Sequence, residues 1–135
     1  QRYKKLKYLK EHTIPNDARR GYFQGFDGRF IRILGETESE RRHLVLAGYL
    51  QAGEAIIMKR ACILWTTQLN KEKIDYKLVN FVHDEWQTET IDDEPTAKYI
   101  ANIQCNSFSN IGSNLSLRCT LAGTYKIGKT WLETH

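Results

Sequence analysis

The sequence predicts an α+β domain in which helices cover one face of an antiparallel sheet. Three observations predict it. Hairpin signals sit at Gly25-Phe26-Asp27-Gly28 and at His83-Asp84-Glu85, and helical periodicity runs through two longer stretches. The chain is also 41% hydrophobic and 27% charged, the balance of a protein with a packed core. At 135 residues, one core and one domain are expected.

Tyr3, Leu6 and Leu9 stand at helical spacing among Lys4, Lys5, Lys7 and Lys10, which predicts a short amphipathic helix over residues 1–12 that ends before Pro15. Residues 21–34 alternate loosely around an Asp-Gly pair, a strong hairpin signal. From Ser39 the steps become three and four: Leu46, Leu50, Gly53, Ile57, Ala61 and Leu64 predict a long helix out to about Leu69. Ser39 is its expected cap, with Glu40 too close to complete a capping box, and Gly48 and Gly53 weaken its middle. Lys77 to Val82 and Trp86 to Thr90 are β-prone runs joined by the charged tip His83-Asp84-Glu85. Asp92, Asp93, Glu94 and Pro95 open another helix, whose apolar positions Ala97, Ile100, Ile103, Ser107, Phe108 and Ile111 share a face as far as Gly112. Alternation of Leu115, Leu117, Cys119 and Leu121 with polar residues predicts a half-buried strand, followed by a loop from Gly123 to His135.

Composition narrows the function classes. No apolar run approaches the ~20 residues of a membrane span, and no apolar segment follows the basic start as in a signal peptide. Cys62, Cys105 and Cys119 form no CxxC, so they read as reduced core residues rather than a disulfide framework or zinc site. Asn114-Leu115-Ser116 is taken as a chance glycosylation sequon. The formal charge of +4 is uneven: residues 1–60 hold thirteen Lys and Arg against seven Asp and Glu, and the remainder seven against nine. A basic leading half permits contact with phosphate backbones and equally describes a solvated face. With no Met at its start and a first stretch that reads as helix interior, the chain is expected to be an excised or processed piece.

The chemistry-bearing feature is His83-Asp84-Glu85, three ionisable residues on the turn of an otherwise apolar hairpin. Hard divalent cations take oxygen ligands, and a carboxylate on a sheet-borne turn is fixed in place, so Asp84 is a candidate metal ligand. The plainer alternative is a polar turn whose carboxylates are solvated. Either way, two neighbouring carboxylates make an incomplete two-metal site, which needs ligands converging from several directions. Gln51 is either a functional amide or a polar interruption of a helix. Arg29 and the pair Lys59-Arg60 meet phosphate or pair with acidic neighbours.

Four stretches, in order, resemble the family A DNA polymerases of bacterial repair and phage replicative type. Gly21 to Arg29 (GYFQGFDGR) is similar to the segment re-entering the palm after the fingers, and Gln51 to Ala61 (QAGEAIIMKRA) to the Gln-headed part of the long palm helix. Val82 to Gln87 (VHDEWQ) resembles motif C, and Gly128, Trp131 and His135 match the GxxWxxxH with which many members end. The resemblance covers residues 21–135, read as a C-terminal palm subdomain, and leaves residues 1–20 as a helical remnant leading out of the fingers. It implies an antiparallel palm sheet whose hairpin carries the His83-Asp84-Glu85 turn, covered on one face by the long helix and a second helix.

For function, the resemblance implies template-directed nucleotidyl transfer during DNA replication by a two-metal mechanism, with primer-template DNA and dNTP as partners and magnesium as cofactor. Asp84 would bind both ions, Glu85 would act beside them, and His83 would contact the primer-terminal nucleotide. Gln51 would read the minor groove of the terminal pair, whose acceptors occupy similar positions in every correct pair. Relatives usually carry Asn four residues before that Gln and Arg eight before, where this chain has Ala47 and His43; Arg42 is the substitute the sequence offers. The first catalytic Asp and the fingers helix that grips the triphosphate would lie upstream of Gly21 in relatives. The second metal carboxylate is therefore expected outside this chain, on a missing fingers and palm portion of the same or a separate chain, with the isolated chain inactive. The cytoplasm of a bacterial or phage-infected cell is the expected location. A non-catalytic DNA-binding remnant and a plain structural α+β domain are the competing readings.

Overall fold

The computed structural model describes residues 3–134. The fold is α+β, with two separate two-stranded antiparallel sheets and long helices. The chain divides into two compact units at Ile56/Ile57, within the long helix α3 (Glu38–Lys71).

In the first unit the single helix expected before Pro15 does not stop there. α1 (Lys4–Tyr8) passes through a π-helical turn, Leu9–Thr13, into α2 (Ile14–Arg20). Pro15 follows directly on the π-helical turn, whose wider winding makes room for the proline ring. Gly21 closes α2 in the left-handed conformation at φ 76°, which aims the chain into β1 (Tyr22–Gln24). β1 pairs with β2 (Phe30–Arg32) in the expected hairpin, with Tyr22 opposite Arg32 and Phe23 opposite Ile31. The inward side chain Phe23 joins Ile14, Ala18, Ile33 and Val45 in the core of this unit, with Ile31, Tyr49 and Ala52 packed against them.

The cap of α3 is Thr37 rather than Ser39. The Glu40 amide donates to Thr37 Oγ1 (3.2 Å) and the Thr37 amide donates to Glu40 Oε2 (3.2 Å), so Glu40 completes the capping box two residues earlier than the sequence reading placed it. Gly48 is a packing requirement as well as a weak helix former, because a Cβ there would stand 2.8 Å from the Phe23 ring.

In the second unit α3 ends at Lys71 in a Schellman motif. The Ile74 amide bonds Leu69 O (3.0 Å), the Lys73 amide bonds Asn70 O (3.1 Å), and Lys73 takes φ 57°. That reversal delivers Ile74 to a core of Trp65, Leu69, Ile100 and Ile103, against which Cys62, Tyr76 and Trp86 also pack. β3 (Tyr76–Val82) and β4 (Glu85–Thr90) form the second hairpin, with a bulge between Leu78 and Asn80. Trp86 stacks on Phe108 of α4 (Glu94–Asn114), ring centroids 4.9 Å apart, so the hairpin is covered on one face by α3 and α4. Asp93 caps α4 by accepting from the Thr96 amide at 2.9 Å.

Two expectations fail in this unit. Residues 115–121 form no strand, since α4 runs two residues past Gly112 and closes in a second Schellman motif with Ser116 at φ 53°. The chain beyond it bends at Arg118 and Cys119 and pairs with no strand among the described residues, leaving Leu117 and Cys119 exposed and only Leu115 and Leu121 half-buried. The tail is not wholly loop either, because α5 (Trp131–Thr134) follows Gly128. A Cβ at Gly128 would meet the Glu133 side chain at 2.5 Å, and the Lys129 amide donates to Glu133 Oε2 at 2.6 Å, so glycine lets this turn close. His135, the last member of the C-terminal motif, lies outside the described residues.

Candidate functional site

The β3–β4 connection is tighter than the sequence implied. Val82 pairs with Glu85, so Glu85 belongs to β4 and the loop is only His83-Asp84. Of these two, only His83 has a positive φ, 50°, a conformation that hairpin loops usually give to glycine or asparagine. Histidine is among the residues that tolerate this region, at a cost of order 1 kcal/mol, and the strands on either side hold it there. The turn sets Asp84 at the hairpin tip, exposed, its carboxylate without a hydrogen-bond or ion-pair partner among the described residues. The neighbouring Glu85 carboxylate accepts a hydrogen bond from Gln87 Nε2 along the same strand. The base of the hairpin is anchored: Thr90 Oγ1 donates to Asp75 O (2.8 Å), and Gln104 Nε2 of α4 donates to Thr88 Oγ1 (2.7 Å).

The arginines of the first unit are held by acids. Arg29 donates through its backbone and side chain to Asp27 inside the hairpin loop. Desolvation pushes the Asp27 carboxyl up, but the Arg29 hydrogen bonds and guanidinium charge outweigh it and hold the group below the usual carboxylate range. Arg42 grips Glu38 one helical turn back, with contacts of 2.5 and 3.1 Å. Gln51 is exposed on α3. Arg42 and Gln51 stand nine positions apart, about 180° around a helix of 3.6 residues per turn, so they do not share a face.

Sequence reasoning missed a buried carboxylate, Asp17, 6% exposed, which accepts from the Tyr49 hydroxyl (2.5 Å) and lies 3.9 Å from Arg20. Burial, then the Asp17 hydrogen bond and charge, push the Tyr49 phenol up to about 12. Only a three-dimensional view could find this pair, whose members are 32 residues apart. Among the described residues no three His, Cys, Asp or Glu side chains cluster as a metal site, and no helix is long and apolar enough to cross a membrane.

No protein-family profile matches the chain. Over 123 residues, 90% of its length, it is 29% identical to a DNA-directed DNA polymerase of Escherichia phage Phieco32. The likeness to a DNA polymerase is borne out. The chain spans 20% of that polymerase. Its fold is similar to the POL domain of Pol1 from M. smegmatis, solved in complex with DNA primer-template and dNTP, with a TM-score of 0.63 and 18% identity over 78% of this chain and 19% of that one. The α+β architecture is therefore that of a polymerase domain.

Proposed function

We propose that residues 21–135 form the C-terminal palm of a family A DNA polymerase, with residues 1–20 leading in from its fingers, and that the Asp84 turn is its motif C. The observation that carries this is the turn itself: a two-residue loop with backbone strain at His83 that presents an unpaired carboxylate from a strand pair clamped to two helices. Rigid placement of a carboxylate is what metal-assisted phosphoryl transfer requires. Strain concentrated at one residue of such a turn supports a functional rather than a merely solvated tip.

The donors present fit a hard cation, since Asp84 and Glu85 offer carboxylate oxygens, but they make only part of a two-ion set. Asp84 would hold both ions, with Glu85 oriented by Gln87 beside it. Magnesium bound there would ease deprotonation of the primer 3′-hydroxyl and offset charge on the incoming triphosphate. His83 would touch the primer-terminal nucleotide, and exposed Gln51 would test the minor groove of the terminal pair. Arg29 and Arg42, anchored by Asp27 and Glu38, keep further N–H donors for DNA phosphates.

The remaining carboxylate and the triphosphate clamp would come from a fingers and palm portion of the same or a separate chain. β3 supports such a partner: Val79 and Val82 are 62% and 47% exposed, an apolar strand paired only with β4 among the described residues. Primer extension tests the proposal, mixing this chain with a family A fingers and palm fragment that ends before its GY–DGR segment. Magnesium-dependent extension by the mixture alone is the expected result. Association and primer-template binding with no extension would leave a DNA-binding remnant instead.

A further inference from the structure

The outward face of the first hairpin is not used by any of these roles. Residues alternate across β1 and β2, so Phe23 and Ile31 face the core while Tyr22, Phe30 and Arg32 face outward. Phe30 is 70% exposed and Tyr22 40%, and their rings meet edge to face at 5.5 Å. Beside them runs a groove of about 530 Å³ lined also by Arg20 and Arg41. Arg41 is spent on structure, donating to Ala18 O (2.8 Å) and Gly35 O (3.0 Å), which fixes the groove wall. Arg20 has only a 3.9 Å approach to Asp17, and the Arg32 guanidinium has no hydrogen-bond or ion-pair partner among the described residues. The unit up to Ile56 holds eleven Lys and Arg against seven Asp and Glu, the whole net charge of the chain.

We infer that this groove binds single-stranded nucleic acid, with Arg32 and Arg20 on consecutive phosphates and a base stacked on Phe30. Arginine forks match phosphate oxygens, while an exposed ring beside them accepts the π-face of any base. A duplex offers the arginines the same phosphates but no free base to the ring. The groove shares no residue with the Asp84 turn and does not depend on its role.

The test is fluorescence anisotropy of the full chain with a labelled oligothymidylate of about 12 nucleotides in EDTA, titrated across salt concentrations. Arg32→Gln and Arg20→Gln each weaken binding several-fold and flatten the slope of log K against log salt by about 0.7. Arg32→Lys keeps that slope, and Phe30→Ala weakens binding about 5- to 100-fold with the slope unchanged. Lys98→Gln, removing the same charge from α4, has little effect. The three substituted groove positions are solvent-facing, and unchanged melting curves certify folding. Equal losses from Lys98→Gln and Arg32→Gln, or no loss from Phe30→Ala, overturn the inference. So does tighter binding of a duplex of equal length, or displacement of the oligomer by an equal concentration of pyrophosphate.

Discussion

The two hairpins solve the same problem in opposite ways. The β1–β2 loop closes through glycines: Gly28 takes φ 87°, its amide bonds Gly25 O (2.9 Å), and the Gly25 amide bonds Arg29 O (2.8 Å). Its charges are spent inside it, Asp27 on Arg29. The β3–β4 loop has no glycine, places its positive φ on His83, and leaves the Asp84 carboxylate unpaired. One turn is relaxed and internally satisfied; the other carries strain and an uncommitted ligand. Lys73 and Ser116 take a positive φ in closing helices, whereas His83 takes one beside an unpaired carboxylate.

The largest expected effect lies beneath the second hairpin. Trp65 is fully buried against Tyr76 and Trp86, and Trp65→Ala should cost about 3–5 kcal/mol by denaturant unfolding, enough to release the turn's support. Gly28→Ala should cost about 1–3 kcal/mol, because a Cβ is forced into the left-handed region. His83→Gly should do the reverse, stabilising by under about 1 kcal/mol while lowering polymerase activity. Matching signs for these two would erase the contrast between the turns.

Tyr49→Phe should cost about 1–3 kcal/mol by stranding the buried Asp17 carboxylate. The Tyr49 pKa is raised from 10.0 to about 12, so its contribution is complete below pH 10 and is lost as pH rises through about 12. Alkaline melting curves should show this loss, and Tyr49→Phe should remove it.

The hairpins, both long helices and the acidic opening of α4 were legible because each follows from local pattern. Thr37 is not marked as the cap by the pattern, because a cap is decided by where the first turn begins, which periodicity locates only to a residue or two. The helix through Pro15 depends on a π-helical turn that no spacing announces. Residues 115–121 alternate as a strand does, yet alternation supplies no partner, and the chain is drawn off by the Schellman close of α4. At the candidate site the residue types were readable, but the two-residue loop and its strain were not, since both come from cross-strand register. Arg32 carries no sequence signal of its own, since it ends a short strand beside a loop whose own arginine, Arg29, pairs with Asp27.

The smallest expected effect on stability belongs to the most informative change. Asp84 is exposed and unpaired, so Asp84→Asn should leave the melting temperature unchanged, whereas Asp27→Asn should lower it by breaking the loop's internal pair. In the reconstituted mixture, the rate of magnesium-dependent primer extension by Asp84→Asn is predicted to fall roughly a thousandfold or more, with Asp27→Asn still active. Extension by Asp84→Asn at the unsubstituted rate would contradict the assignment of Asp84 as the metal-holding carboxylate.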